Sequence, residues 1–260
     1  MIIGSKEIIA YCAIVEEGDW ERIYMRLKNR VYPSPERIEQ TLSELNCNYL
    51  SILDEAYPER LKQTYKPPFV LFYQGDISLL NSADKQLISV VGSREYTTYG
   101  ENATKCIVTS IARDFIVVSG LAKGIDAIAA ETAINAGGKT IAVLGCGVDI
   151  CYPSENMELY DKIRKDHLLI SEYPPTINPS QDKFPMRNRI IAGLSKAIIV
   201  TEAELRSGTS ITVNFALFSG RDVMCVPYPY NAASACNRLI KEGAFLVENG
   251  DDVRNQISKY

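Results

Sequence analysis

The chain has 260 residues, of which 46% are hydrophobic and 23% charged, the composition of an ordered globular protein with room for one large domain or a large and a small one. Its formal net charge is −4, divided as −3 before Ala83 and −1 from there on. A surface that coats nucleic acid throughout is strongly basic, so that class is excluded and any polyanion must meet a local patch.

In chain order, segments 5–17 and 19–29 read as helices, the second with Trp20, Ile23 and Leu27 on one apolar stripe. Ser34-Pro35 forms an N-cap and first-turn pair, after which Ile38, Leu42 and Leu45 share one helical face. Pro67-Pro68 interrupts any helix, and Phe69–Tyr73 followed by Gly75-Asp76 reads as a strand and turn. A small N-terminal helical domain is therefore expected over residues 1–64. From Leu87 the pattern changes to short apolar runs at 88–91, 115–118, 140–144, 168–170, 197–200 and 223–226, alternating with helical stretches. Runs of that kind suit strands buried on both faces, so 65–260 is expected to form an α/β domain, an open and mostly parallel sheet.

Histidine and cysteine chemistry is sparse. His167 is the single histidine, which removes Ser-His-Asp, Cys-His and histidine-based metal sites. Seven scattered cysteines without a C-x-x-C pair read as reduced thiols of a cytoplasmic protein. The start lacks a signal peptide's long apolar core, and no run reaches transmembrane length. Neither a metal site nor a cofactor is expected, and no membrane contact.

The informative residues lie in turns after strands, where ligands of open α/β sheets bind. Gly92-Ser93-Arg94 leads towards a helix start and offers backbone N–H groups beside a guanidinium, although a tight turn with a solvated arginine fits equally well. It is neither a Walker A loop nor G-x-G-x-x-G. Ser119-Gly120, then Lys123-Gly124 before Asp126, repeats the arrangement, with Asp126 readable either as a ligand contact or as a dipole partner. Gly145-Cys146-Gly147 and Ser207-Gly208-Thr209 are the third and fourth turns. The most basic stretch, Lys183-Phe184-Pro185-Met186-Arg187-Asn188-Arg189, has the makings of a grip on a phosphodiester backbone with one stacked base, or of a solvated helix start with Phe184 in the core.

Taken together and in this order, the motifs resemble the DNA-processing protein A family, also called Smf. The resemblance runs from Pro67-Pro68 to about Val247. It rests on Val91–Arg94 with Tyr99-Gly100, Ser119–Asp126, Thr140–Gly145 with Asp149, Tyr152-Pro153 and Asn156, and Ser171–Pro175. Phe184-Pro185, Arg187–Gly193, Glu202-Ala203, Ser207–Thr209 and Leu239-Ile240 through Gly243-Ala244 complete it. The resemblance implies an extended Rossmann-like domain that binds single-stranded DNA and loads RecA recombinase in natural transformation. It further implies a homodimer and an N-terminal helical domain of sterile-alpha-motif type. It assigns DNA contact best to Arg94, Lys183, Phe184, Arg187 and Arg189, with the glycine turns shaping the pocket. Three positions depart from the family pattern: Ala130 stands where a histidine is usual, Tyr228 replaces the glycine of Pro-Gly, and Ala235 falls in a degraded Ser-x-Gly-x-Asn. Two rival readings use the same superfamily: a nucleoside-monophosphate glycosidase, with Glu202 and Arg206 as its pair, and a nucleotide sensor.

Overall fold

The computed structural model describes residues 3–205, 207–232 and 234–259. Three short helices come first: α1 (Ser5–Val15), α2 (Trp20–Lys28) and α3 (Pro35–Ser43). The Asp19 carboxylate accepts from the Arg22 N–H at 2.9 Å and caps α2, and α3 opens on Pro35 as its sequence predicts. The chain then enters the sheet with β1 (Asn48–Ser51), α4 (Glu59–Lys62) and β2 (Val70–Gly75). Alternation follows: β3 (Gln86–Gly92), α5 (Thr98–Ile111), β4 (Phe115–Ser119), α6 (Ile125–Asn135), β5 (Lys139–Leu144), α7 (Met157–Asp166) and β6 (Leu168–Ser171). The last third contains α8 (Lys183–Leu194), β7 (Ala197–Glu202), α9 (Gly208–Phe218), β8 (Asp222–Cys225), α10 (Ala235–Lys241), β9 (Phe245–Leu246) and α11 (Gly250–Ile257).

Among the described residues the strands form one sheet in the order β1-β2-β6-β5-β4-β3-β7-β8-β9. The pairings from β6 to β9 are parallel, and β1–β2 and β2–β6 are antiparallel. Strand alternation sorts the core. Leu87 and Val91 face α8 and α9, whereas Ile88 and Val90 face α5, α6 and α11. The parallel strands predicted from the apolar runs are all present within a residue or two.

The N-terminal division differs from expectation. Helices end at Ser43, and β1 pairs with β2 in register from Asn48 opposite Tyr73 to Ser51 opposite Val70. Residues 48–64 thus belong to the sheet layer, and the change from helices to sheet comes before residue 64. Nor do the helices have a core of their own. Ile9, Tyr11, Ile23 and Ile38 are buried in the same cluster as Val70, Phe72, Leu144 and Leu169 of the sheet. A helix trio this short buries too little apolar surface alone, and the sheet supplies the rest.

Helix α8 is tied down at several points. Ser89 Oγ of β3 donates to the Ile191 carbonyl at 3.0 Å and lies 2.6 Å from Ser195 Oγ. Arg189, 1% exposed, sets both terminal nitrogens against the Glu172 carboxylate at 2.7 and 2.6 Å. Its Nε donates to the Lys66 carbonyl at 2.9 Å and Nη1 also to that of Met186 at 2.6 Å. Arg189 was expected to touch DNA; its donors are committed inside the fold instead, where they join α8, the end of β6 and the connection before β2. Removing one member leaves a buried carboxylate without its cation. Arg189→Ala should therefore lower unfolding free energy by about 3–5 kcal/mol in urea titration.

His167, buried between α7 and β6, holds its imidazole below the ordinary value because burial penalises the cation, with Lys139 adding repulsion. Its Nδ1 accepts from the Thr140 N–H at 3.4 Å, which requires the neutral ring. A depressed histidine is protonated more readily in the unfolded chain. Stability should fall as pH drops below about 6.5, and His167→Gln should remove that component of the slope in thermal melts from pH 5 to 8.

Candidate nucleic-acid interface

In this strand order the chain winds outward from β3 through β4, β5 and β6, then returns by α8 to place β7 on the other side of β3. The β3–β7 boundary is the topological switch point, where loops at the carboxyl ends part and leave a crevice. A cavity of about 600 Å³ opens there, lined by Gly92, Ser93 and Arg94 after β3, by Phe184, Arg187 and Asn188 of α8, and by Ser207, Gly208 and Thr209 at the start of α9. A neighbouring cavity of about 460 Å³ is lined by Gly120, Lys123, Gly145 and Cys146. Arg94, Tyr152, Phe184 and Arg187 line both, so the two form one recess with a shared wall.

The floor is Arg187. It is 4% exposed, and its Nη1 donates to the Gly120 carbonyl at 2.6 Å and to the Val143 carbonyl. Gly120 also donates its N–H to Asp126 Oδ2 at 2.9 Å. A Cβ on Gly120 would fall 2.6 Å from both the Arg187 guanidinium and the Asp126 carboxylate, so only glycine admits this approach. Burial pushes the Asp126 carboxyl above the usual carboxylate range, while Arg187 and the amides of Gly120 and Gly92 pull in the opposite direction. Burial likewise lowers Arg187, with Asp126 opposing. The two groups hold the ends of β3, β4 and β5 together beneath the recess.

The wall is aromatic. Phe184 packs on Gly145, where a Cβ would stand 2.8 Å from its Cδ1. The Tyr152 ring stacks on Phe184 at 5.5 Å and 22°, and the Arg94 guanidinium lies 5.5 Å from the Phe184 centroid. Phe184 was expected to offer its face to a base. It is instead partly buried, with neighbours already on it, and the exposed ring is that of Tyr152, at 45%. Arg94 is exposed and has no ion pair among the described residues, so its charge is available to solvent anions. The Ser207 side chain does not cap α9; its Ser210 N–H goes to the Ser207 carbonyl at 3.1 Å, and among the described residues the Gly208 and Thr209 N–H groups beside the cavity have no partner.

The other predicted residues divide. Lys123 is exposed on the rim of the smaller cavity, and Asn188 donates weakly to the Gly208 carbonyl at 3.4 Å. Ser119 and Gly124 shape the turns without lining the recess: Ser119 Oγ accepts from the Leu121 N–H at 3.4 Å, and Gly124, at φ +86°, backs onto the Ser93 and Arg94 carbonyls. Lys183 lines neither cavity; its ammonium donates to Ser180 Oγ at 2.6 Å and lies 5.7 Å from the Tyr173 centroid. Arg189 belongs to the core. Glu202, the carboxylate of the glycosidase reading, is buried and accepts the Thr97 N–H with both oxygens, at 3.2 and 2.9 Å, at the start of α5. Its proposed companion Arg206 lies outside the described residues. Of the departures, Ala130 is fully buried in the same core cluster as Leu121 and Leu144, and Tyr228 is clasped by Asn237, which accepts from its N–H and donates to its carbonyl, both at 2.9 Å.

Tyr152 and Glu172 are the residues sequence reasoning left without a role, whereas Asp126 was read as a ligand contact or a dipole partner. Asp126 was visible, six residues after Gly120, but only the fold turns its carboxylate back onto that amide.

The recess has the contents expected of a site for phosphates and bases, and comparison with known proteins gives it a context. The family model for DNA recombination-mediator protein A matches residues 48–258. DNA processing protein DprA of Streptococcus pneumoniae is 45% identical over 205 residues, 78% of this chain and 72% of that protein. The DprA of Bacillus subtilis is 39% identical over 239 residues, 89% of this chain and 79% of that one. Among solved structures, S. pneumoniae DprA superposes with a TM-score of 0.80 at 40% identity, covering 90% of this chain and 80% of that chain. DprA from Helicobacter pylori, described for its unique single-stranded DNA binding mode, superposes at 0.74 and 27% identity, covering 82% and 97%. Family match, identity and fold agree along nearly the whole sheet, and the chain belongs to the DNA recombination-mediator protein A family.

Proposed function

We propose that the chain binds single-stranded DNA in the switch-point recess and hands it to a RecA-type recombinase, acting as a homodimer in the cytoplasm without catalysing a reaction. The observation that carries the reading is the recess wall. In a chain of net charge −4, an Arg94 without an ion pair among the described residues, a half-exposed Tyr152 and a helix start that Ser207 does not cap converge on one crevice. Phosphates settle on Arg94 and the α9 amides, and a base settles on Tyr152. Duplex DNA keeps its bases stacked internally and offers none to the ring. The glycosidase alternative finds Glu202 already occupied by the Thr97 amide. No helix among the described residues is long and apolar enough to cross a membrane.

The dimer is supported by β9, the edge strand next to β8, whose Phe245 and Leu246 are 38% and 47% exposed. An exposed apolar edge is a template for a second chain. Light scattering at micromolar concentration should give about twice the 28.9 kDa of one chain; the mass of one chain would refute the dimer.

Arg94→Ala should weaken single-strand binding and reduce the slope of log affinity against log salt by about 0.7 for each phosphate no longer neutralised. Its melting temperature should stay within a degree or two, because an exposed arginine without an ion pair contributes little to folding. Fluorescence anisotropy across a salt series measures the first, and a thermal melt the second.

A further inference from the structure

Helix α2 places Trp20, Tyr24 and Lys28 at successive four-residue steps, so the three side chains form one column along its surface. The Trp20 and Tyr24 rings stack at 5.4 Å and 8°, and the Lys28 ammonium lies 5.9 Å from the Tyr24 centroid. Trp20 anchors the column to the sheet. Its ring packs on Phe69 at 5.1 Å and its Nε1–H donates to the Pro67 carbonyl at 2.8 Å. The Lys66 ammonium then lies 5.5 Å from the Trp20 centroid and 5.3 Å from that of Tyr65. Cations and rings thus share one continuous row: Lys28, Tyr24, Trp20, Lys66, Tyr65.

Folding alone does not account for the row. Tyr24 and Tyr65 remain 42% and 45% exposed. The acidic residues nearby mostly have other tasks: Asp19 caps α2, and Glu16 takes Arg22 and Arg26. Among the described residues Glu21 alone pairs with a cation of the row, Lys66, and it is 62% exposed.

The row also meets the recess. Gly18, two residues before Trp20, abuts the Tyr173 ring, and the ammonium of Lys183 lies over that same ring. Lys183 immediately precedes Phe184 of the recess wall. Lys183, which lines neither cavity, thus shares the Tyr173 ring with Gly18, just before the start of α2.

We propose that a single strand leaving the recess at Phe184 passes Lys183 and continues onto this row, with a base on Tyr24 and phosphates on Lys28 and Lys66, while Tyr65, already stacked on Phe215 at 6.4 Å, positions Lys66. The proposal rests on the recess being a single-strand site. A surface of cations interleaved with exposed rings is the one that unpaired nucleic acid prefers regardless of sequence. Glu21 competes with phosphate for Lys66 and so limits the affinity of this second segment.

Trp20 is the only tryptophan in the chain, so its fluorescence reports on the row and not on the recess. The experiment titrates the full chain with oligo(dT) of about six and about thirty nucleotides, lengths that bracket the usual reach of one binding face. The long strand should bind more tightly and quench Trp20, while the short strand binds without quenching. Tyr24→Ala combined with Lys28→Ala should cost the long strand about tenfold in affinity, in line with losing one stacked base, and leave the short strand unchanged. Glu21→Gln should tighten the long strand only. Long-strand binding that leaves Trp20 fluorescence unchanged and is insensitive to the double variant would overturn the proposal. The recess reading is judged separately by Arg94→Ala, which should weaken both lengths; if it weakens neither, that reading fails while the Trp20 signal still decides on the row.

Discussion

Two buried guanidiniums on one helix hold the site in place. Arg189 fixes α8 to Glu172 at the end of β6 and to the backbone before β2, and Arg187, half a turn earlier, reaches the carbonyls after β4 and within β5. Between them they tie the returning helix to strands on one side of the switch point while α9 and β7 continue on the other. Cations this deep need partners to remain inside, and each has them: a bidentate carboxylate for Arg189, carbonyls and Asp126 for Arg187. The position of Phe184, and with it Tyr152 and Arg94, follows from where α8 begins.

Under the proposed reading, the same arrangement is what an acidic chain offers to a polyanion. The sequence 183–189 reads as one cationic cluster, but the fold divides it: Arg189 is structural, Arg187 forms the floor, and Lys183 is held by Ser180 over the buried Tyr173 ring. The cations presented to solvent in the recess are Arg94 and Lys123, beside Glu95 and Glu204 on the rim. Affinity from so few free cations must come from geometry, that is, from backbone amides and a ring placed where phosphate and base already lie.

Parallel strands β3 to β8 were legible because each carries an apolar run buried on both faces, and the glycine turns were legible because they follow those runs. Strand β1 was not. Asn48-Tyr49-Leu50-Ser51 is short, lies at an edge and is only half buried, so nothing in its pattern separates it from a loop. The fate of Arg189 was equally hidden, since Glu172 is 17 residues away and meets it only after the connection from β6 folds back. Phe184 was read from the sequence as a candidate and does line the recess, but its occupation by Tyr152 and Arg94 depends on two separate loops meeting the start of α8, which no spacing encodes.

The claim that the switch-point recess is where single-stranded DNA sits is tested most directly by photocrosslinking. A single strand carrying 5-iodouracil would be irradiated on the purified chain and the adducts mapped by mass spectrometry of its peptides. Adducts concentrated on the peptide bearing Tyr152, with others near Arg94 and Phe184, are the predicted result. Adducts confined to the opposite face of the sheet, around α5 and α11, with none on Tyr152, would contradict the account.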